Sequence, residues 1–297
     1  MKRTFFGYYV GLLTSIATGH IKGASSEQSS FSRPASPTAT MKLNYSNLLG
    51  KQASWRLQKR MLPSSVWNQE VYARLLTEQL LLKPNARWLD AGCGCRILAD
   101  GLEQLEDLAV ARAGFTVGMD PDKDGVATHR NIEKRVCSFL DALPFRDQSF
   151  DVVTCNMVVE HLGDPLKCFA EIKRVLAPGG IVIFHTPNLR NYMVFLNHTV
   201  GRLLPRGLVL RVIRAGEGRA PEEVFPTFYR MNSSGRVRDL TSKLGLVVEK
   251  EQFLPSPRPF FNFFLPLAFL QMLLTRAMAS LGLQRYESTM LFALRKS

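Results

Sequence analysis

The sequence has few cysteines, and they form no pattern that would organise a fold. They are an odd number without a C-x-x-C pair: Cys93, Cys95, Cys137, Cys155 and Cys168. Disulfide frameworks and zinc sites both show regular cysteine spacing, so the pattern argues against either. We expect reduced, buried thiols, a cytoplasmic protein and no metal site.

The sequence also lacks an apolar run long enough to cross a bilayer comfortably, which takes about 20 residues. The run at residues 260–274 has only about 15 residues and is interrupted by Pro266. A second run lies within residues 1–24, after Lys2 and Arg3. Both runs are too short for a clean membrane span.

Residues 1–40 have the composition of a targeting segment followed by a linker. A basic start and an apolar stretch resemble a signal peptide or anchor, and residues 25–40 are rich in Ser, Pro and Thr. Such a linker cannot bury enough apolar surface to fold. We therefore predict a single folded domain at 41–297. Translation from Met41, or cleavage of the first 40 residues, would leave the same domain.

Basic charge is concentrated at the two ends of the chain. Residues 1–60 carry a net charge of +8, residues 61–190 carry −3 and residues 191–297 carry +8. A nucleic-acid site would place basic side chains beside the functional core, so this distribution argues against a nucleic-acid partner. Basic ends rich in apolar residues suit an anionic membrane surface or an acidic substrate.

A glycine-rich turn lies within residues 86–102. Trp88 and Leu89 begin a short apolar strand that ends in Asp90, and Gly92 and Gly94 follow. Glycine has no Cβ, so such a turn lets backbone N–H groups approach a ligand closely, and a helix that opens there adds further donors. An ordinary strand-to-helix turn can have the same sequence, so the turn alone does not distinguish a ligand-binding turn from an ordinary one.

Strands and helices alternate along the middle of the chain, which is typical of a doubly wound parallel sheet. We predict strands at 88–90, 114–120, 135–140, 150–156 and 181–186, and helices at 64–82, 97–110, 123–134 and 166–176, the last stopped by Pro178-Gly179-Gly180. Ligands bind beyond the carboxyl ends of such strands. Polar side chains stand at those ends: Asp90, Asp120, Asp141, Asn156 and Asn188.

Four motifs at these spacings resemble the class I S-adenosylmethionine-dependent methyltransferases, especially the small-molecule, quinone and lipid enzymes. They are LDAGCG (89–94), VGMDPD (117–122), DALPFRDQSFDVVTCNMVVEHL (141–162) and EIKRVLAPGGIVIFHTPN (171–188). The resemblance implies a Rossmann-like sheet of seven strands whose last strand is antiparallel, with strands six and seven at 246–254 and 289–295. It also implies helical insertions at about 189–230 and 255–288.

The resemblance implies S-adenosylmethionine as the cofactor and gives roles to individual residues. Asp90, Gly92 and Gly94 would line its methionine end, and Asp120 would accept hydrogen bonds from the ribose hydroxyls. Asp141 would meet the adenine amino group, with Ala142 or Leu143 against the ring, and Asn156 would lie under the sulfonium. Arg96 departs from the family, which often has a third glycine there.

His161 is the best candidate for a general base, because histidine titrates near neutral pH. A base is needed only if the acceptor must lose a proton. The alternative is a structural loop histidine that packs against Pro187 or a backbone carbonyl. His185 lies within a strand, and we expect it to be buried.

The insertions are where we expect acceptor specificity. Arginines among apolar residues at 189–230, and the aromatic-rich run at 260–274, suggest contact with a membrane surface or a lid over an apolar substrate. A helical subdomain packed on the core would explain the same pattern. We therefore expect methyl transfer to a small-molecule or lipid-linked acceptor, with possible peripheral membrane contact. Soluble glycan or secondary-metabolite acceptors, or a non-catalytic S-adenosylmethionine-binding module, are the alternatives.

Overall fold

The computed structural model describes residues 68–99, 101–203, 225–255 and 265–297. These fall into two compact units, one of residues 68–198, 225–255 and 281–297, and the other of residues 199–203 and 265–280. The predicted segment and linker at 1–40 lie outside the described residues. So do parts of both predicted insertions, including Arg206, Arg211, Arg214 and Arg219.

The larger unit is built on a seven-stranded sheet with the order β3-β2-β1-β4-β5-β7-β6. All neighbouring strands are parallel except β7, which runs antiparallel to β5 and β6. This confirms the predicted α/β class and the doubly wound, mostly parallel sheet. The strands are β1 (Arg87–Ala91), β2 (Phe115–Asp120), β3 (Lys134–Cys137), β4 (Phe150–Asn156), β5 (Leu176–Pro187), β6 (Leu246–Leu254) and β7 (Thr289–Lys296).

Helices cover both faces of this sheet, as the nearly continuous apolar centre of β4 predicts. Adjacent strand residues belong to opposite cores: Trp88 and Val152 pack on one side, Leu89 and Val153 on the other. The helices are α1 (Asn68–Leu82), α2 (Glu103–Arg112), α3 (Lys123–Ala127), α4 (Pro165–Val175), α5 (Tyr192–Leu203), α6 (Ser234–Leu244) and α7 (Leu265–Ser280).

Two predicted helices are shorter than expected. The helix predicted at 97–110 begins only at Glu103, because residues between the glycine turn and α2 form turns, and the Glu106 carboxylate accepts the N–H of Leu98 at 3.0 Å. The helix predicted at 123–134 is the short α3, whose start is capped by the Asp122 side chain. The predicted third strand, 135–140, is also shorter and ends at Cys137.

The Pro178-Gly179-Gly180 sequence is not a turn between helix and strand. Helix α4 ends at Val175, and the three residues lie inside β5 at an irregularity in its pairing with β4. Gly179 has a φ of +72°, which a glycine adopts without strain. A bulge therefore replaces the predicted helix stop.

Helix α7 belongs to the smaller unit and is almost uncharged. Its 16 residues contain one charged side chain, Arg276. Among its described side chains, four large apolar ones are exposed: Phe269, Leu270, Leu273 and Leu274. Over the described ranges, no helix is both long and apolar enough to cross a membrane.

Candidate functional site

The glycine turn follows β1 at the carboxyl edge of the sheet and is tied to β2. The N–H groups of Gly92 and Cys93 donate to the carbonyl of Met119 at 2.6 and 3.1 Å. Gly92 has a φ of +85°, and a Cβ there would stand 2.2 Å from Cγ2 of Val158. The turn therefore needs glycine at this position for both its backbone conformation and its packing.

Asp120, at the end of β2, holds the second part of the same turn. Its Oδ2 accepts the N–H of Gly94 at 2.9 Å, and its Oδ1 accepts the N–H of Asp122 at 2.8 Å. Each carboxylate oxygen keeps a second lone pair for another donor. Asp120 thus joins the glycine turn to the loop after β2 and can still accept hydrogen bonds from a ligand.

Gly118 is a site residue that the sequence analysis missed. A Cβ on it would lie 2.9 Å from the Sγ of Cys93, so the glycine turn packs directly on the backbone of β2. An isolated glycine inside a predicted strand is a known sign of close backbone approach, and it could have identified this contact.

Buried acids make the floor of the turn electronegative. Asp90 is buried and accepts the Thr154 hydroxyl at 2.6 Å. Burial, together with the charges of Glu106 and Asp120, raises the pKa of Asp90 to about 7. Burial also raises the pKa of Asp120. Neighbouring carboxyl groups in a buried site do not both ionise easily, and a cationic ligand beside them would stabilise their ionised forms.

Asn156, at the end of β4, is hydrogen-bonded to α1 and to the segment beyond the glycine turn. Its Nδ2 donates to Oε1 of Gln69 at 2.8 Å, and Gln69 Nε2 donates back to its Oδ1 at 3.3 Å. Asn156 also contacts the carbonyl of Ile97 beyond the glycine turn at 3.4 Å. Gln69 was not predicted as a site residue, because its contact with Asn156 joins positions that are 87 residues apart.

His185 is buried beside this pair, as predicted. Its Nδ1 lies 3.1 Å from Oδ1 of Asn156 and 3.3 Å from Nε2 of Gln69. Burial lowers the pKa of His185 to about 3. The ring is therefore neutral at physiological pH, and we assign it no role as a proton acceptor for substrate.

Asp141 and Ala142 lie in the loop after β3, at the same edge of the sheet. Asp141 is half-exposed and accepts Nζ of Lys167, from α4, at 3.1 Å. Ala142 is exposed. Their contact with adenine stays a prediction. When adenine binds, Asp141 would either keep its ion pair with Lys167 or exchange it for the adenine amino group.

His161 ends a 3-10 turn, Val159–His161, that follows β4. Its Nδ1 lies 3.0 Å from the carbonyl oxygen of Pro226, and its ring meets Phe225 edge-on at 6.3 Å between centroids. Its N–H donates to the carbonyl of Val158 at 2.9 Å, and the side chain of Val158 packs against Gly92. The structure thus places the backbone of His161 close to the glycine turn.

Glu160, the neighbour of His161, joins the 3-10 turn to the segment at 228–232 and to the end of β5. Its backbone carbonyl accepts the N–H groups of Phe228 and Tyr229 at 2.8 and 3.1 Å. Its buried carboxylate accepts the Thr186 hydroxyl at 2.9 Å, and Asn232 donates to that hydroxyl at 2.8 Å. Burial raises the pKa of Glu160. This network fixes the backbone that carries His161.

A protein-family profile matches the part of this chain that contains the glycine turn. Residues 89–184 match the sequence profile of a family described as "Methyltransferase domain". A protein of Hahella chejuensis, named ubiquinone biosynthesis O-methyltransferase, is 32% identical over 137 residues, which cover 42% of this chain and 54% of that protein. The Thiobacillus denitrificans protein of the same name is 35% identical over 133 residues, 40% of this chain and 53% of that protein.

This chain therefore spans about half the length of the curated relatives it matches. A crystal structure from Galdieria sulphuraria, provisionally named a sarcosine dimethylglycine methyltransferase, has a TM-score of 0.50 to this chain at 16% identity. It covers 82% of this chain and 98% of its own. At that identity the likeness establishes the fold alone.

Proposed function

We propose that this chain, which belongs to the class I S-adenosylmethionine-dependent methyltransferase family, transfers a methyl group from S-adenosylmethionine to a small-molecule acceptor. S-adenosylmethionine is the cofactor of that family. The observation that carries the proposal is the link from Asp120 to the glycine turn, through the N–H of Gly94. The link leaves lone pairs on both Asp120 oxygens for the ribose hydroxyls.

The residues around the turn fit the chemistry of this cofactor. S-adenosylmethionine carries positive charge on its sulfonium and on its ammonium group, and the buried acids Asp90 and Asp120 would be stabilised by such charge. The absence of a Cβ at Gly92 lets the turn pack directly against Val158. When bound, the cofactor supplies an electrophilic methyl group, and the task of the protein is to align an acceptor with it.

His161 is proposed to take the proton from the acceptor group that becomes methylated. The Pro226 carbonyl can only accept a hydrogen bond, so the neutral ring carries its proton on Nδ1. Nε2 then holds the lone pair that can receive a proton. His161 would remove the proton as the acceptor atom forms its new bond to carbon.

Two variants separate the base from a structural role. We expect His161→Ala and His161→Gln to lower the turnover number by about 100-fold each, since a general base contributes on the order of 10²–10⁴. The glutamine amide can still donate to the Pro226 carbonyl but cannot accept a proton. Titration calorimetry should give dissociation constants for S-adenosylmethionine within about twofold of wild type, because the base is not needed for cofactor binding. Normal turnover in His161→Gln would show that the ring only holds the loop.

An apolar, lipid-soluble acceptor is the finer part of the proposal. The two curated relatives are named for ubiquinone biosynthesis. Helix α7 exposes four large apolar side chains and carries a single charge, which suits a position at the surface of a membrane. The net charge of +8 over residues 191–297 favours anionic lipid.

Transfer of a labelled methyl group tests the activity and the acceptor class together. The protein is incubated with methyl-labelled S-adenosylmethionine and either the lipid or the aqueous extract of one batch of cells that make it. We expect labelled product in the lipid extract, identified by mass spectrometry. Label in the aqueous extract alone would favour a soluble metabolite as the acceptor. Label in neither extract would contradict methyl transfer.

A further inference from the structure

Glu287 is a buried carboxylate at the carboxyl edge of the sheet, in the turn that precedes β7. Because β7 runs antiparallel to β5, its first residue, Thr289, pairs with Pro187 at the end of β5. The side chain of Glu287 is only 8% exposed. In the strand order, β7 stands three positions from β1, or roughly 14 Å at the usual strand spacing. Glu287 therefore lies away from the glycine turn, on the half of the edge left for an acceptor.

The backbone around Glu287 is held rigidly by two asparagines. Asn188 Nδ2 donates to the carbonyls of Arg285 and Glu287 at 2.9 and 2.8 Å, and its N–H donates to the carbonyl of Ser288 at 2.9 Å. Asn191 Nδ2 donates to the carbonyl of Tyr286 at 2.8 Å. The position of Glu287 is thus determined by the loop after β5.

The Glu287 carboxylate itself has no hydrogen-bond or ion-pair partner among the residues that the structure describes. The nearest basic residues along the loop after β5 and the turn before β7 are Arg190 and Arg285. Both are exposed, and within the described residues neither forms an ion pair with Glu287. Tyr192, at the start of α5, interacts electrostatically with Glu287. Burial and the charge of Glu287 both raise the pKa of the Tyr192 phenol. Burial alone raises the pKa of Glu287 to about 7.

An ionised carboxylate that is mostly buried and has no protein partner opposes folding, because burial removes much of its hydration and no hydrogen bond replaces it. Proteins keep such groups where they act on a ligand. We infer that Glu287 binds a hydrogen-bond-donating group of the acceptor, a hydroxyl or an ammonium, with the half-exposed ring of Tyr192 beside it. The inference rests on the proposed methyl transfer.

Thermal unfolding distinguishes an unpaired functional carboxylate from a structural one. A glutamate with a folded-state pKa of about 7 and an unfolded value of about 4.3 stabilises the fold below pH 4 and loses that effect as the pH rises through 7. Glu287→Gln removes the penalty of the ionised form. We expect its Tm to exceed that of wild type by about 5 °C at pH 8 and by about 2 °C at pH 5.5.

Glu106→Gln is the matched control. Glu106 is also buried with a raised pKa, but its carboxylate accepts the N–H of Leu98 and Nδ2 of Asn131, both at 3.0 Å. An amide would turn a donor toward one of these donors, so we expect this variant to have a lower Tm at both pH values. A Tm of Glu287→Gln that is equal to or below that of wild type at pH 8 would overturn the inference.

Methyl transfer provides the functional half of the test. In the extract that wild type labels, Glu287→Gln is expected to transfer methyl groups about 10-fold more slowly at low acceptor concentration, since one charged hydrogen bond is lost. Its dissociation constant for S-adenosylmethionine should stay within about twofold of wild type. Normal transfer by Glu287→Gln would overturn the inference about Glu287 and leave the proposed methyl transfer intact. Failure of wild type to label either extract would instead defeat the proposed function, and the inference with it.

Discussion

Gly92→Ala is expected to weaken S-adenosylmethionine binding by about 100-fold or more. The added Cβ would stand 2.2 Å from Cγ2 of Val158, at a backbone φ of +85°. Valine is branched at Cβ and cannot swing aside freely. The turn must therefore move, and its N–H groups would lose their positions against the Met119 carbonyl. Titration calorimetry measures the loss.

Gly94→Ala is the control for this prediction. Gly94 also has a positive φ, +50°, but a Cβ there would meet nothing within 4 Å. We expect a loss of affinity of about 10-fold or less, because the left-handed region costs an alanine roughly 1 kcal/mol. Both variants should show cooperative unfolding, which confirms that they fold. Equal effects in the two variants would contradict the role of the contact with Val158.

Asp120→Asn is expected to raise the dissociation constant for S-adenosylmethionine by about 50-fold. The asparagine keeps one oxygen but turns an NH₂ group toward the N–H of Gly94 or Asp122, and it cannot accept two ribose hydroxyls. Hydrogen bonds to a charged group contribute about 1.5–3 kcal/mol, which corresponds to a loss of roughly 10- to 150-fold. The change also removes a negative charge from the floor of the site.

Asp124→Asn provides the matched comparison, since Asp124 is exposed in the first turn of α3, four residues beyond Asp120. It loses the same charge, and within the described ranges its side chain makes no hydrogen bond to the glycine turn. We expect affinity within about twofold of wild type. A similar loss in both variants would mean that general electrostatics, and not the Asp120 hydrogen bonds, determines affinity.

The sequence was informative wherever short-range patterns control the structure. β4 and β6 have the bounds predicted for them, Phe150–Asn156 and Leu246–Leu254. For β4, the reason is that strands buried on both faces need a nearly continuous apolar run. The acidic residues near the carboxyl ends of β1 and β2, Asp90 and Asp120, were also visible, because each follows a short apolar run. These features are properties of a few adjacent residues.

Features that depend on tertiary contacts were not visible in the sequence. The helix predicted at 97 begins at Glu103, since the side chain of Glu106 binds an N–H in the preceding turns, in competition with helix formation. The Pro-Gly-Gly sequence lies inside β5 because the residues on both sides of it, Leu176 and Ile181, pair with β4. Gln69 reaches Asn156 across 87 positions, and Glu287 reaches the acceptor half of the edge only through the antiparallel β7.

Titration of the wild-type protein with S-adenosylmethionine tests the central claim most directly. If the glycine turn, Asp90 and Asp120 form a cofactor site, calorimetry should give one site per chain with a dissociation constant on the order of 1–100 μM. S-adenosylhomocysteine, which lacks the sulfonium charge, should compete for the same site. Absence of binding heat at high micromolar S-adenosylmethionine, with a thermal unfolding curve unchanged by the ligand, would contradict the account.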